Sequence, residues 1–343
     1  MAVINENLIR STFDAMVKYR PALAKYLIAD DDEDEIVDHR ILGDLIIKNL
    51  PWPIGVELRR LFSGSMRELD RMRLDQIFKT IERTMQFISF AMLSQAWHDI
   101  SKGKLQPPDS LKGDFQNRFS VLSMGNYSWM IRGLGNAYES QNLEWFMVEM
   151  SECFDKKFYA ALDFWVPERN EIGHYQINLT QEDIEKRCVE YEEKLMLILQ
   201  SIAFISKYKL VSVREIRVNK PKNKEAVFHH VIDLLNSSDS DFKAQEIDDA
   251  GFSDSKSVLL MKSVKSFEEY LNLSPLIIDT SSEIIDTKEK FDIKKDIFLY
   301  TKLRGDHLMY VGTEVTEKCD LRSLSNYANL VEEIQALMKT IAG

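Results

Sequence analysis

The sequence predicts an α+β protein in which an N-terminal all-α helical bundle precedes a smaller α+β domain. Up to residue 206, apolar residues recur at the spacing of a helix, about 3.6 residues. Beyond residue 207, several segments alternate apolar and polar residues, as half-buried strands do. We therefore predict a bundle domain over 1–206 and an accessory domain over 207–343.

The bundle helices are predicted from apolar spacing and from the residues that interrupt it. Pro21 is expected to kink or restart the first helix, and Pro51 is expected to end the second. Gly103 is expected to end the longest one, and Thr180 with Asp183 forms a capping box at the start of the last. The predicted helices cover residues 5–28, 35–50, 65–102, 115–138, 142–164 and 180–208.

The accessory domain is predicted to combine strands with one closing helix. Gly305-Asp306 lies between two apolar runs and favours a hairpin turn. Residues 326–341 have the apolar spacing of an amphipathic helix. The predicted strands cover residues 209–219, 257–262, 273–278, 297–301 and 307–312.

Composition excludes several classes of protein. The 343 residues carry a formal net charge of −11, which argues against broad, non-specific binding to nucleic acid. The three cysteines form no CxxC pair, so we expect reduced thiols and no metal site. The glycine, histidine and serine motifs of phosphate-binding loops, dinucleotide folds, zinc proteases and serine hydrolases are absent. With no apolar signal segment and no stretch long enough to span a bilayer, we expect a cytoplasmic protein without membrane contact.

Most histidines have no companions that suggest chemistry. His98 is expected at the surface of the long helix. Because His229 and His230 are adjacent, they face different directions, and we expect one to be buried and the other solvated. His174 is different, because it follows Arg169 and Asn170 in a short helical segment.

The segment from Arg169 to His174 combines two groups that RNA cleavage needs. Asn170 and His174 are four residues apart, and therefore lie one turn apart on the same helix face. Arg169 supplies a permanent cation with bidentate phosphate geometry, and His174 titrates near neutral pH. A proton-transfer group and a cation can together promote attack of the 2′-hydroxyl on the phosphate and stabilise the transition state, with no metal required.

Arg169-Asn170 followed by His174 resembles the Arg-Asn-x-x-x-His motif of HEPN domains, the higher eukaryote and prokaryote nucleotide-binding domains. The resemblance implies an all-α bundle and a metal-independent endoribonuclease of a prokaryotic antiviral defence or toxin system, without a cofactor. It implies that Arg169 binds the scissile phosphate, His174 acts as general acid or base, and Asn170 positions one of them. It also implies a homodimer with a composite site, and products with a 2′,3′-cyclic phosphate and a 5′-hydroxyl. Tyr175 follows His174 directly, unlike many members, so control by tyrosine modification is not carried over.

A concentration of basic residues follows the predicted bundle and suits RNA phosphates. The segment 207–224 contains a single acidic residue, Glu215. Its alternative interpretation is an interdomain connector followed by an exposed strand and loop. The residues predicted to bind RNA are Lys209, Arg214, Arg217, Lys220, Lys222 and Lys224.

Three alternatives remain open at this point. Arg169 can be a surface or capping residue paired with Glu168 or Glu171, with His174 an ordinary helix-end histidine. The chain can be a non-catalytic HEPN scaffold that binds a partner protein or a nucleotide within a defence complex. It can also be an acidic adaptor, with Asp30–Glu35 and the C-terminal helix as contacts. The partners expected are RNA, a second copy of the chain, and an antitoxin or sensor protein.

Overall fold

The computed structural model describes residues 5–27, 38–175, 179–236, 242–282, 293, 295–314 and 318–343. The side chains of residues 170, 172–175 and 318 lie outside this description, and so does the acidic segment Asp30–Glu35. Helices and two antiparallel sheets make up the described chain, which confirms the predicted α+β class.

The helices and strands are numbered in chain order. The helices are α1 (Glu6–Tyr19), α2 (His39–Asn49), α3 (Trp52–Leu61), α4 (Arg71–Ser101), α5 (Asp109–Ser120), α6 (Met124–Ser140), α7 (Met150–Cys153), α8 (Lys156–Tyr175), α9 (Gln181–Ser201) and α10 (Tyr327–Ala342). The strands are β1 (Lys209–Asn219), β2 (Val227–Leu234), β3 (Lys243–Asp249), β4 (Val258–Met261), β5 (Tyr270–Asn272), β6 (Ile277–Asp279), β7 (Ile297–Arg304), β8 (His307–Gly312) and β9 (Lys318–Asp320).

Proline shapes the N-terminal helices in two different ways. α1 ends at Tyr19, and Pro21 begins a 3₁₀ turn, as the predicted restart requires. α2 ends at Asn49, but α3 begins at once with Trp52, so the prediction missed this helix. Pro53 occupies the first turn of α3, where an amide hydrogen has no helical partner and its absence costs little.

The middle of the chain is divided differently from the prediction. Gly103 follows α4 in a left-handed conformation with φ +69°, which confirms the predicted end of the long helix. The predicted helix 115–138 is instead α5 and α6, because Val121 between them forms an antiparallel bridge with Lys302 of β7. The predicted helix 142–164 is wrong in its limits: α8 begins at Lys156 and continues through Pro167.

The strands form two antiparallel sheets. The five-stranded sheet has the order β3-β2-β1-β4-β5, and the four-stranded sheet has the order β6-β7-β8-β9. β1, β4, β7 and β8 confirm predicted strands, and Gly305 turns the β7–β8 hairpin with φ +65°. The predicted strand 273–278 is wrong, because β5 ends before it and β6 begins within it. β2, β3, β5 and β9 were not predicted.

The chain divides into two compact units that are discontinuous in sequence. The helical unit comprises Met1–Met85, Met147–Tyr208 and Asn236–Asp241. The mixed unit comprises Gln86–Phe146, Lys209–Leu235 and Phe242–Gly343 and contains both sheets. The change from helix to strand does fall near the predicted boundary, since β1 begins at Lys209. The helices from residue 86 to residue 146 nevertheless group with the sheets, which a single boundary after residue 206 does not describe.

The two adjacent histidines of β2 have opposite environments, as predicted. The His229 ring is partly exposed and lies beside Asp248 of β3. The His230 ring is buried and stacks on Phe267 with ring centroids 4.0 Å apart. Its Nε2 accepts from the Ser253 amide at 3.2 Å, so the ring proton sits on Nδ1. Burial lowers the pKa of His230 below its usual value.

Candidate functional site

The three motif residues belong to one helix near its C-terminal end. Arg169, Asn170 and His174 all lie in α8, which ends at Tyr175. The helical backbone places Asn170 and His174 one turn apart. The side chains of Asn170 and His174 are outside the described residues, so only Arg169 shows its contacts.

Arg169 carries an accessible guanidinium group. Its side chain is 48% exposed, and its Nη2 lies 3.4 Å from Oε1 of Glu82 on α4. Glu82 is itself about one-third exposed. An exposed pair of this kind contributes about 0–1 kcal/mol. A phosphate can therefore replace the carboxylate at little cost, with the same donors in bidentate geometry.

Arg187 of α9 forms ion pairs with the acidic residues nearest to Arg169 in sequence. Its guanidinium lies 3.2 Å from Glu168 and 2.8 Å from Glu171. The alternative of a surface arginine paired with Glu168 or Glu171 is wrong in the pairing, since the carboxylate partner of Arg169 is Glu82, but the surface position that it assumes is confirmed. The Tyr191 hydroxyl also donates to Glu168, and burial raises the pKa of Tyr191 so that this proton is retained. α9 thereby fixes the turn of α8 that carries Arg169.

The residues predicted to bind RNA lie on β1 and in the connection from β1 to β2, within the mixed unit. Arg214 pairs with buried Asp233 at 2.7 Å, and Arg217 pairs with exposed Glu215 at 2.6 Å. Lys209 is half-buried. The three lysines of the connection are exposed, and the structure records no ion pair for them within the described ranges: Lys220, Lys222 and Lys224. The basic segment 207–224 is thus partly neutralised on β1, and its most accessible lysines lie in the connection from β1 to β2.

A second candidate site is an open cleft of about 1030 Å³ in the mixed unit. Its lining combines aromatic, acidic and basic side chains, with His98 exposed on the last turn of α4. His98 was correctly predicted to lie at the surface, but the cleft around it was not predicted. The residues that carry its chemistry are Trp97, His98, Lys102, Lys104, Asp254 and Tyr270.

Hydrogen bonds hold both walls of this cleft in place. Gln95 donates to the backbone oxygen of Glu144 at 2.9 Å and accepts from the amide of Phe146 at 2.7 Å. On the other wall, the Asn272 amide donates to Asp254 at 2.7 Å. These residues come from segments far apart in sequence, so no local spacing signals the cleft.

The described residues include no group of three or more His, Cys, Asp or Glu side chains arranged to hold a metal ion. The three cysteines, Cys153, Cys188 and Cys319, are not joined by disulfides. In the same ranges, no helix combines the length and the apolar character needed to cross a bilayer.

Comparison with known proteins adds no relative. No protein-family model matches the chain, and no curated protein or solved structure matches it significantly. The function must therefore be argued from the residues of the two candidate sites.

Proposed function

We propose that this chain is a metal-independent endoribonuclease of a prokaryotic antiviral defence or toxin system. The observation that carries the proposal is the half-exposed Arg169, which among the described residues is held by one weak surface pair and lies on the same helix as His174. A cation that is accessible and readily exchanged suits a phosphate that must enter and leave.

The proposed chemistry is transfer of the phosphodiester to the neighbouring 2′-oxygen. His174 acts as general base or acid: the 2′-hydroxyl loses its proton as its oxygen attacks phosphorus, and the departing 5′-oxygen gains one. Arg169 stabilises the negative charge that grows on the phosphate oxygens, and Asn170 positions one of these groups. The P–O5′ bond breaks, leaving a 2′,3′-cyclic phosphate and a 5′-hydroxyl. Two copies of the chain contribute to a composite site in a homodimer.

A parallel cleavage assay tests this proposal. The parent protein is incubated with total RNA in EDTA beside the R169A and H174A variants. We expect losses on the order of 100-fold or more for each variant, since oxyanion donors and general acid–base groups typically contribute that much. The matched controls are R118A, which removes an exposed arginine paired with Asp114, and H39A, which removes a partly exposed histidine near Glu6. Cleavage by R169A or H174A at the parent rate would refute the proposal.

The E82Q variant adds a sharper test of the role of Arg169. Glutamine keeps the shape of Glu82 but removes the charge that pairs with Arg169. If Arg169 binds phosphate, E82Q should cut RNA at least as fast as the parent. Loss of cleavage in E82Q with normal folding would show that the ion pair itself, and not a free guanidinium group, is needed.

The cleft in the mixed unit favours a second candidate, a non-catalytic scaffold that binds a nucleotide. Its volume suits a nucleotide-sized ligand, with aromatic rings for a base and Lys102 and Lys104 for phosphates. Calorimetric titration with nucleoside triphosphates, compared with the W97A variant, tests this. Binding that W97A abolishes, together with RNA that stays intact in every assay, would favour the scaffold.

A further inference from the structure

The five-stranded sheet carries an aromatic pair at its β1–β2 hairpin end, with Phe252 exposed and Phe228 partly buried. Phe252, which follows β3, is 67% exposed, the highest value among the large apolar residues that the structure describes. Its ring centroid lies 5.3 Å from that of Phe228 on β2, at an interplanar angle of 43°. An exposed phenyl ring of this kind presents a flat apolar face to a ligand and has no polar group that needs a hydrogen-bond partner.

Apolar surface continues from this pair onto β1. Val218 is directly opposite Phe228 in the β1–β2 register, so both side chains lie on the same face, and Val218 is 62% exposed. On the same face, closer to the core, lie Ile216 and buried His230. The core face of the sheet therefore extends outward into solvent at the hairpin end, and an exposed apolar patch of this kind is typical of a binding surface.

The β1–β2 connection at this end of the sheet carries a local excess of positive charge, whereas the segment around Phe252 carries Asp248, Asp249 and Asp254. Lys220, Lys222 and Lys224 lie in the β1–β2 connection with Glu225 as their one acidic neighbour there. All three lysines are exposed. In a chain of net charge −11, this local excess attracts a polyanion where most of the surface repels one.

Asp249 fixes the segment that carries Phe252, and its carboxylate is hydrogen-bonded by two backbone amides. Its carboxylate accepts from the Gly251 amide at 2.9 Å and from the Phe267 amide at 2.8 Å. These backbone donors lower the pKa of Asp249, so the carboxylate remains ionised and bound to them. The turn before Phe252 is thereby held to the sheet, which limits the cost of ordering the ring when a ligand binds.

From these observations we propose that this hairpin end is a binding surface for single-stranded RNA, with Phe252 as the base-stacking residue. An unstacked base lies on the Phe252 ring, supported by Phe228, and the lysines of the connection bind the flanking phosphates. The proposal rests on the proposed function, which supplies RNA as the substrate. It extends that function by giving Phe252 and Phe228 a role in RNA binding, which the basic residues of segment 207–224 alone do not indicate. A protein partner would use the apolar patch but has no need of three adjacent lysines, so the charge favours RNA.

The test measures binding separately from cleavage. The probe is a fluorescein-labelled 2′-O-methyl RNA of mixed sequence, about 15 nucleotides long, which has no free 2′-hydroxyl to attack the phosphate and spans a typical single-strand site. Fluorescence anisotropy gives the Kd of the parent and of F252A, F252L and F252W. Loss of one stacked base is expected to weaken binding by about 5- to 150-fold in F252A and in F252L, whereas F252W should bind as the parent does. Because Phe252 is exposed, the variants should keep the parental melting temperature.

Paired lysine variants test the electrostatic part. K222Q/K224Q should weaken binding and reduce the dependence of log Kd on log salt concentration by about 1.4, at about 0.7 for each phosphate contact. The matched control K295Q/K339Q removes the same charge from exposed lysines elsewhere in the mixed unit and should leave that slope unchanged.

Each outcome bears on one proposal. Undetectable binding by the parent, or parental binding by F252A, overturns the RNA surface. Parental binding by F252L with weak binding by F252A overturns stacking and indicates an apolar contact, as a protein partner would make. RNA cleavage that depends on Arg169 while F252A binds normally leaves the ribonuclease standing without this surface. Weak binding by F252A and F252L without any cleavage leaves the surface standing without the ribonuclease.

Discussion

Replacing Arg73 by methionine is expected to destabilise the helical unit by about 3–5 kcal/mol, the usual cost of breaking a buried ion pair from one side. Arg73 lies on α4 and has no exposed surface. Its guanidinium donates to the backbone oxygen of Met66 at 2.6 Å, to the side chain of Asn5 at 2.9 Å, and to the carboxylate of Glu192 on α9. The methionine fills most of the space but leaves these acceptors without their donor, and the Glu192 charge is only slightly exposed.

Arg71 provides a matched control two residues away on the same helix. It pairs with Asp75 at 3.0 Å, but both side chains have substantial exposure to solvent. An exposed pair of this type contributes about 0.3–0.5 kcal/mol, so R71M should cost less than about 1 kcal/mol. The two variants remove the same chemical group, and the expected difference between them arises from the burial of Arg73 and from the three acceptors that it serves.

Urea unfolding followed by circular dichroism at 222 nm measures both costs. A double variant, R73M/E192M, tests the mechanism, because removing the stranded charge as well should recover part of the stability that R73M loses. The reasoning is refuted if R73M is no less stable than R71M. It is also refuted if E192M adds its full cost to that of R73M, since the two residues would then be independent.

Three further substitutions test individual elements. Burial lowers the pKa of His230, so the folded state binds fewer protons than the unfolded chain, and stability should fall as the pH drops below about 6.5. In urea titrations, H230Q should flatten this fall, whereas the exposed-site control H98Q should not. An unchanged pH profile of stability in H230Q would contradict the assignment. T180A removes the side chain that caps α9 and should lower the stability by about 1 kcal/mol in thermal unfolding, whereas T180S should lower it little. If T180A and T180S melt at the same temperature, a capping role for the Thr180 hydroxyl is excluded. G305A places a side chain at φ +65° in the β7–β8 turn and should cost about 1–2 kcal/mol, whereas G64A meets open space at an ordinary φ and should be tolerated.

Local signals in the sequence were reliable where the deciding interactions are themselves local. The capping box of α9 is formed by Thr180 and Asp183, three residues apart, and the structure contains both of its hydrogen bonds. The end of α4 at Gly103 and the hairpin at Gly305 depend on one residue's backbone conformation. The sequence prediction misses α3 because it treats proline only as a helix breaker, although the first turn of a helix accepts proline.

Strands were harder to predict when their burial depends on distant partners. β1 alternates clearly and was found with its limits, whereas β3 is mostly polar because much of it is exposed at the edge of the sheet. The break between α5 and α6 follows from pairing of Val121 with Lys302, which are far apart in sequence. No pattern within residues 115–138 can reveal such a partner.

The sequence alone determined the α+β class and the chemical types and spacing of the motif residues, because these depend on residues within one or two helical turns; that α8 continues through Pro167 to Tyr175 came only from the structure. Only the tertiary structure decided that Arg169 forms an ion pair with Glu82 and that Arg187 forms ion pairs with Glu168 and Glu171. It also decided that Phe252 lies beside Phe228. The physical reason is that exposure and ion pairing depend on which distant segments pack together, and packing is a property of the whole fold.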